Sequence, residues 1–228
     1  MPHLYLDRKR HHALFGSFDH AAWQRINADL YLVGGILFVI GSILFFPAFD
    51  PWADWGVGCF LAGSLLYLVV TAHDVVEVIN SHKGTRAELF EAIAYLVGTV
   101  LFTIGSVLFF SGVDRIVAGA VLWLVGSALF VAAASVNVLQ IAQARSERAL
   151  LLMNLTAISF IVGGVLFAVG AIPYFWLADQ PGHGMFHGYL AGEFVLGSLL
   201  FLAGGGFIRA RAVGPRRSPP LDGARETA

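Results

Sequence analysis

The sequence predicts an all-α polytopic membrane protein, with six transmembrane helices arranged as three parallel two-helix repeats and both chain ends in the cytoplasm. Three observations predict it. Apolar runs of membrane-spanning length occur six times, lysine and arginine fall almost wholly on one side of them, and a two-helix unit recurs about every 64 residues.

Of the 228 residues, 57% are hydrophobic and only 13% charged, so lipid rather than water must solvate most of the chain. A hydrocarbon core about 30 Å thick needs roughly 20 mainly apolar residues per spanning helix. Runs of that length extend from Leu30 to Phe49, Trp55 to Ala72, Phe90 to Phe110, Ile116 to Val136, Leu155 to Leu177 and Phe186 to Ile208. The first is too long for a signal-peptide core, no small-residue cleavage site follows it, and a near copy recurs downstream, so it reads as a retained helix.

Orientation follows from the cations. Arg8, Lys9, Arg10 and Arg25 precede the first run, Lys83, Arg86, Arg145 and Arg148 lie in the second and fourth connections, and Arg209, Arg211, Arg216, Arg217 and Arg225 follow the last run. The remaining three connections hold only Arg115, a split of 13 to 1. Cationic segments stay cytoplasmic, which predicts both termini inside. The opposite loops carry Asp50, Asp54, Asp114 and Asp179, with Trp52, Trp55 and Trp176 where an interfacial aromatic belt belongs.

The organisation expected is a basic amphipathic cytoplasmic segment (1–27), hairpin repeats at 28–82, 83–143 and 144–211, and a disordered cytoplasmic tail (212–228). Phe15, Phe18, Ala22 and Ile26 at helical spacing suggest an interfacial helix over 11–26. The tail after Val213, GPRRSPPLDGARETA, has too little apolar content to fold.

The repeat is explicit. The first helix of each hairpin reads LFVIGSILFF from 37, LFTIGSVLFF from 101 and LFAVGAIPYF from 166, the first two agreeing at eight of ten positions. The second helix reads GSLLYL from Gly63, GSALFV from Gly126 and GSLLFL from Gly197. Each unit starts and ends on the same side, so the copies are parallel rather than inverted, and closure into a pseudo-threefold bundle is the natural hypothesis. Gly34 and Gly41, Gly98 and Gly105, Gly163 and Gly170, Gly56 and Gly63, and Gly119 and Gly126 are each seven apart and share a face, and Gly197 stands at the position of Gly63 and Gly126 in the third copy. Lipid offers no hydrophobic drive between helices, so these small-residue faces are expected to form the contacts. Ser42, Ser64, Ser106, Ser127 and Ser198 after the glycines can bond their own helix or a neighbour.

A small residue, then LF, two residues, GS and an aromatic pair, followed after a short acidic loop by a second GS helix, resembles the YrhK-like family of bacterial membrane proteins. Gly34, Phe38, Gly41, Ser42, Phe45 and Phe46 with Gly63 and Ser64 carry the resemblance. Gly98, Phe102, Gly105, Ser106, Phe109, Phe110, Gly126 and Ser127 repeat it, while the third copy departs with Ala171 and Pro173. The resemblance implies a bacterial inner-membrane location and supplies no chemistry.

Candidate functional residues are few. Glu193 lies inside the sixth run, where a carboxylate costs on the order of 2–3 kcal/mol or more at mid-membrane, so it is expected to be protonated, paired or near water. His183 and His187 are four apart beside Asp179 and Glu193; an ordinary solvated loop is the plain alternative, and if a metal bound there His187 and Glu193 would hold it. His73 and Glu77 share a helix face, with Asp74, Asn80 and His82 nearby, and Asn137 and Gln140 fill the positions of Asp74 and Glu77 in the second copy. Residues emerging where a helix leaves lipid are expected to be solvated or interfacial, with a proton or cation site as the sharper reading.

No cofactor or resident metal is expected, and the near-neutral net charge of -1 points to no nucleic acid. A single cysteine, Cys59, excludes an internal disulfide. The lipid bilayer is the one partner implied. No nucleophile, metal or phosphate-loop motif stands in a supporting context, so the first functional reading is a non-enzymatic membrane protein with a structural or accessory role. The alternative is a small ion or solute channel or transporter with Glu193, joined by Glu91 or Asp29, near its path.

Overall fold

The computed structural model describes residues 20–80, 85–140, 147–177 and 184–213. Six long helices carry it: α1 (His20–Leu44), α2 (Ala53–Ile79), α3 (Arg86–Leu108), α4 (Ile116–Gln140), α5 (Glu147–Ala171) and α6 (Gly184–Val213). All six are long and apolar enough to cross a membrane, and among the described residues no strand occurs. The chain is a multi-pass, all-helical membrane protein. The tail, His82, His183 and the segment before His20 lie outside the described residues.

Local chemistry sets the helix ends. The residue before a proline avoids the helical region, and Phe46, preceding Pro47, is extended at φ -66 and ψ 143, so α1 stops at Leu44 rather than running to Phe49. Pro173 acts likewise on the third copy, ending α5 at Ala171 and leaving a one-turn helix, Tyr174–Leu177, where the apolar run alone suggested a continuous span. Thr85 accepts from the Glu88 amide at 3.2 Å while Glu88 accepts from the Thr85 amide at 3.0 Å, a capping box that opens α3 four residues before its apolar run. At its other end α1 begins at His20, so residues 20–26 continue straight into the span instead of forming a separate interfacial helix.

The helices pack in chain order, each against its two sequence neighbours, and α6 packs back on α1 to close a ring. Each hairpin turns at what we call the tip end, which holds residues 45–52, 109–115 and 172–177. The hairpins join at the opposite, junction end, near 80–85 and 140–147. Asp54 of the first tip accepts the Ser111 amide at 2.9 Å and its hydroxyl at 2.6 Å, tying two tips together. Ser42 and Ser198 hydroxyls meet at 2.9 Å where α1 and α6 close the ring, and nearer the junction end Arg209 pairs with Asp29 at 2.7 Å on the exterior.

Polarity is arranged for lipid. Ile36, Ile40, Val69, Ile104, Val125 and Val162 are all exposed on the outside, while the buried set includes Ser, Thr, Asn, Asp and Glu side chains. What holds the interior is close packing between glycines and aromatic rings. Gly34, Gly41, Gly56, Gly63, Gly98, Gly105, Gly119, Gly126, Gly163, Gly170 and Gly197 each have an aromatic residue four positions later, on the same helix face. Each ring except Tyr174, which faces Leu190 in place of a glycine, seats on a glycine of the facing helix in its own hairpin: a Cβ on Gly63 would meet Phe38 at 2.7 Å, one on Gly126 would meet Phe102 at 2.9 Å, and one on Gly197 would meet Phe167 at 3.0 Å. The converse holds from the other helix, with Tyr67 on Gly34, Phe130 on Gly98 and Phe201 on Gly163. This glycine-to-ring reciprocity repeats in all three hairpins.

Candidate functional site

The rings that leave the glycine seams meet on the bundle axis and fill it in layers. Phe60 and Trp123 lie 4.9 Å apart between centroids, and Trp123 and Phe194 5.5 Å, one ring from the second helix of each hairpin. A level nearer the junction end, Phe167 meets Phe102 at 5.7 Å and Phe38 at 6.4 Å. Beyond them Phe201 meets Phe130 at 5.8 Å and Tyr67 at 6.2 Å. A cavity of about 10 Å³ remains among these rings, with Ser64 and Thr99 on its wall, room for no more than one water.

Toward the junction end the same register continues with different chemistry. Seven residues before Gly34, Gly98 and Gly163 stand Asn27, Glu91 and Thr156; seven after Tyr67, Phe130 and Phe201 stand Asp74, Asn137 and Ile208. The glycine-and-ring layer is thereby replaced by a polar one. Glu91 is fully buried, and Asn27, Asp74, Asn137 and Thr156 are each 3% exposed. Asn137 Nδ2 donates to Glu91 Oε1, the contact that Phe130 and Gly98 make one heptad away. Tyr67 donates to the Tyr31 carbonyl at 3.3 Å, and the Trp23 ring lies on the His73 imidazole with centroids 4.0 Å apart. Asn27 falls between Trp23 and Tyr31 on one face of α1, so it is held level with α2 residues 67–73.

His73 and Glu77 sit one turn apart, Nδ1 to Oε2 at 3.9 Å. With Asp74 their ligand atoms all lie within 4.8 Å of one another. The expectation that these residues are solvated where the helix leaves lipid fails: Asp74 and Glu77 are each 3% exposed, because α2 runs on to Ile79 and keeps them inside the ring. Asn80, in contrast, is exposed and donates to the Val76 carbonyl at 2.8 Å.

Glu193 is 8% exposed, near the tip end of α6. Tyr189, one turn earlier, donates to its Oε1 at 2.6 Å, and its Oε2 faces Gly170, where a Cβ would sit 3.4 Å away. His187 is half-buried in the first turns of α6. Six residues separate it from Glu193, which on a helix of 3.6 residues per turn sets the two on different faces. The structure does not bring that pair together, and His183 lies outside the described residues.

Inspection for isolated charges singles out Glu193 but passes over Asn27. Its signal was positional, since Asn27 aligns with Glu91 at one repeat length, and only alignment of the copies makes an uncharged residue stand out. The YrhK-like protein family matches the chain at residues 21–79 and again at 85–141, just over half of its length in total. The two matched segments are the first two hairpins. No curated protein and no solved structure matches the chain significantly.

Proposed function

The chain belongs to the YrhK-like family, and from that premise we propose that it is a non-enzymatic integral membrane protein with a structural or accessory role. It resides in the bacterial inner membrane, with its junction end and both chain ends in the cytoplasm. The filled axis is the observation that supports this reading. Rings from all three hairpins stack through the bundle, and conduction requires a hydrated or transiently hydrated path. The channel or transporter alternative needs water at Glu193. That carboxyl is instead 8% exposed, accepting from the Tyr189 hydroxyl and facing Gly170, with the fully buried Phe194 next to it in the chain.

Ion flux in proteoliposomes tests the proposal. Sodium, potassium and proton leak should match that of protein-free vesicles and be unchanged by Glu193→Gln. Flux well above that baseline, suppressed by the same substitution, would replace this reading with the transport one.

A further inference from the structure

We propose that the cavity among the axial rings is a binding site for one water molecule, held between the hydroxyls of Ser64 on α2 and Thr99 on α3. A single enclosed water gives no path across the membrane, so the inference goes beyond the structural role proposed above and stands whether or not that role holds.

The three seams between hairpins show why the site lies where it does. Thr99 aligns with Gly35 and Gly164 in the other copies. Those glycines are packed too tightly for a side chain: a Cβ on Gly35 would lie 2.8 Å from the Leu202 backbone, and one on Gly164 2.9 Å from the Val131 side chain. The α2–α3 seam alone carries a side chain at this position, and a β-branched one. The serines report the consequence. At the α1–α6 seam the Ser42 and Ser198 hydroxyls meet at 2.9 Å. The same two positions at the α2–α3 seam are Ser106 and Ser64, and they make no such bond: Ser106 donates to the Phe102 carbonyl of its own helix at 2.8 Å, while Ser64 Oγ, on a residue 1% exposed, has no hydrogen-bond partner among the described residues.

Ser64 and Thr99 border the same cavity of about 10 Å³, one water in size and otherwise walled by aromatic rings, Phe102 and Phe167 among them. Thr99 donates to the Tyr95 carbonyl at 2.8 Å, which leaves its oxygen free to accept. The Ser64 hydroxyl can both donate and accept. A water between them donates one hydrogen to Thr99 Oγ1 and bonds Ser64 Oγ, the two polar partners a buried water needs at minimum. A buried hydroxyl left without a partner is costly, whereas a bond through an ordered water is nearly as good as a direct one. Ser127 is the contrast. Its Oγ also lacks a partner, but the seam position opposite it is Ala171 and it does not border the cavity.

A crystal structure of the full-length protein in lipidic mesophase, at a resolution that shows ordered waters elsewhere on the chain, tests this directly. One isolated density peak is expected within hydrogen-bond distance of both Ser64 Oγ and Thr99 Oγ1. Equilibrium unfolding in mixed micelles supplies the second arm. Ser64→Ala and Thr99→Val should each lower the folding equilibrium constant about fivefold or more. The double variant should fall well short of the product of the two effects, because either substitution releases the same water. Ser127→Ala should leave the constant unchanged or raise it. No peak between the two oxygens, Ser64→Ala as stable as the wild type, effects of the two substitutions that simply multiply, or an equal loss in Ser127→Ala would each overturn the proposal.

Discussion

Gly41→Leu and Gly105→Leu are each expected to eliminate the folded protein from detergent extracts. A Cβ on Gly41 would lie 2.8 Å from the Gly56 carbonyl oxygen and 2.7 Å from the Phe60 ring; one on Gly105 would lie 2.5 Å from Trp123 and 3.1 Å from the Gly119 carbonyl oxygen. The Cβ alone strikes a backbone atom at Gly41, and at Gly105 it strikes the fully buried Trp123 ring with a backbone oxygen tight behind it, so a leucine at either position forces the helices apart. Lipid supplies no hydrophobic drive to hold them, so the lost van der Waals contact is not compensated. The cost should exceed the ~1–3 kcal/mol usual for overpacking a core. Gly58→Leu is the control, since nothing lies within 4 Å of its Cβ position. Size-exclusion profiles and thermal melts would read the difference; wild-type behaviour of the first two variants would contradict the seam described here.

Trp123→Ala should lower stability by about 3–5 kcal/mol, the range for emptying a large buried aromatic site. The ring is fully buried, lies 4.5 Å from Phe109 and 4.9 Å from Phe60 between centroids, and donates through Nε1 to the Phe102 carbonyl at 3.3 Å. It belongs to two hairpin-spanning stacks at once, so neighbours held by their own glycine seats cannot collapse into the space. Trp123→Phe retains most of the packing and should cost much less. Equilibrium unfolding in mixed micelles distinguishes the two, and equal stability of Trp123→Ala and wild type would show that the axis is not close-packed at this level.

Much of the fold was legible from residues alone, for identifiable reasons. Spanning runs are long and contiguous, and the Gly-Ser signatures at Gly41, Gly105, Gly63, Gly126 and Gly197 mark the repeat without any tertiary information. Helix ends were less legible because turn chemistry overrides hydropathy: Pro47 and Pro173 end helices inside apolar runs, and the Thr85 capping box begins one before its run. The glycine-to-aromatic spacing of four was present in every copy, yet its meaning lies in the partner helix, where each ring finds its seat. The candidate site was hidden for a related reason. Hydropathy reads Asp74 and Glu91 as the polar ends of their runs, and only ring closure turns both inward with Asn27 and Asn137.

That inward polar layer, and the role proposed for the whole bundle, presuppose that each hairpin crosses the membrane out and back with the junction end facing the cytosol. Single cysteines at Ser111 on a tip and Glu147 at a junction, both exposed and placed in a Cys59→Ser background, probe this most directly. In intact spheroplasts an impermeant maleimide should label Ser111→Cys at once and Glu147→Cys only after permeabilisation. Labelling of Glu147→Cys before permeabilisation, or protection of Ser111→Cys, would contradict the topology.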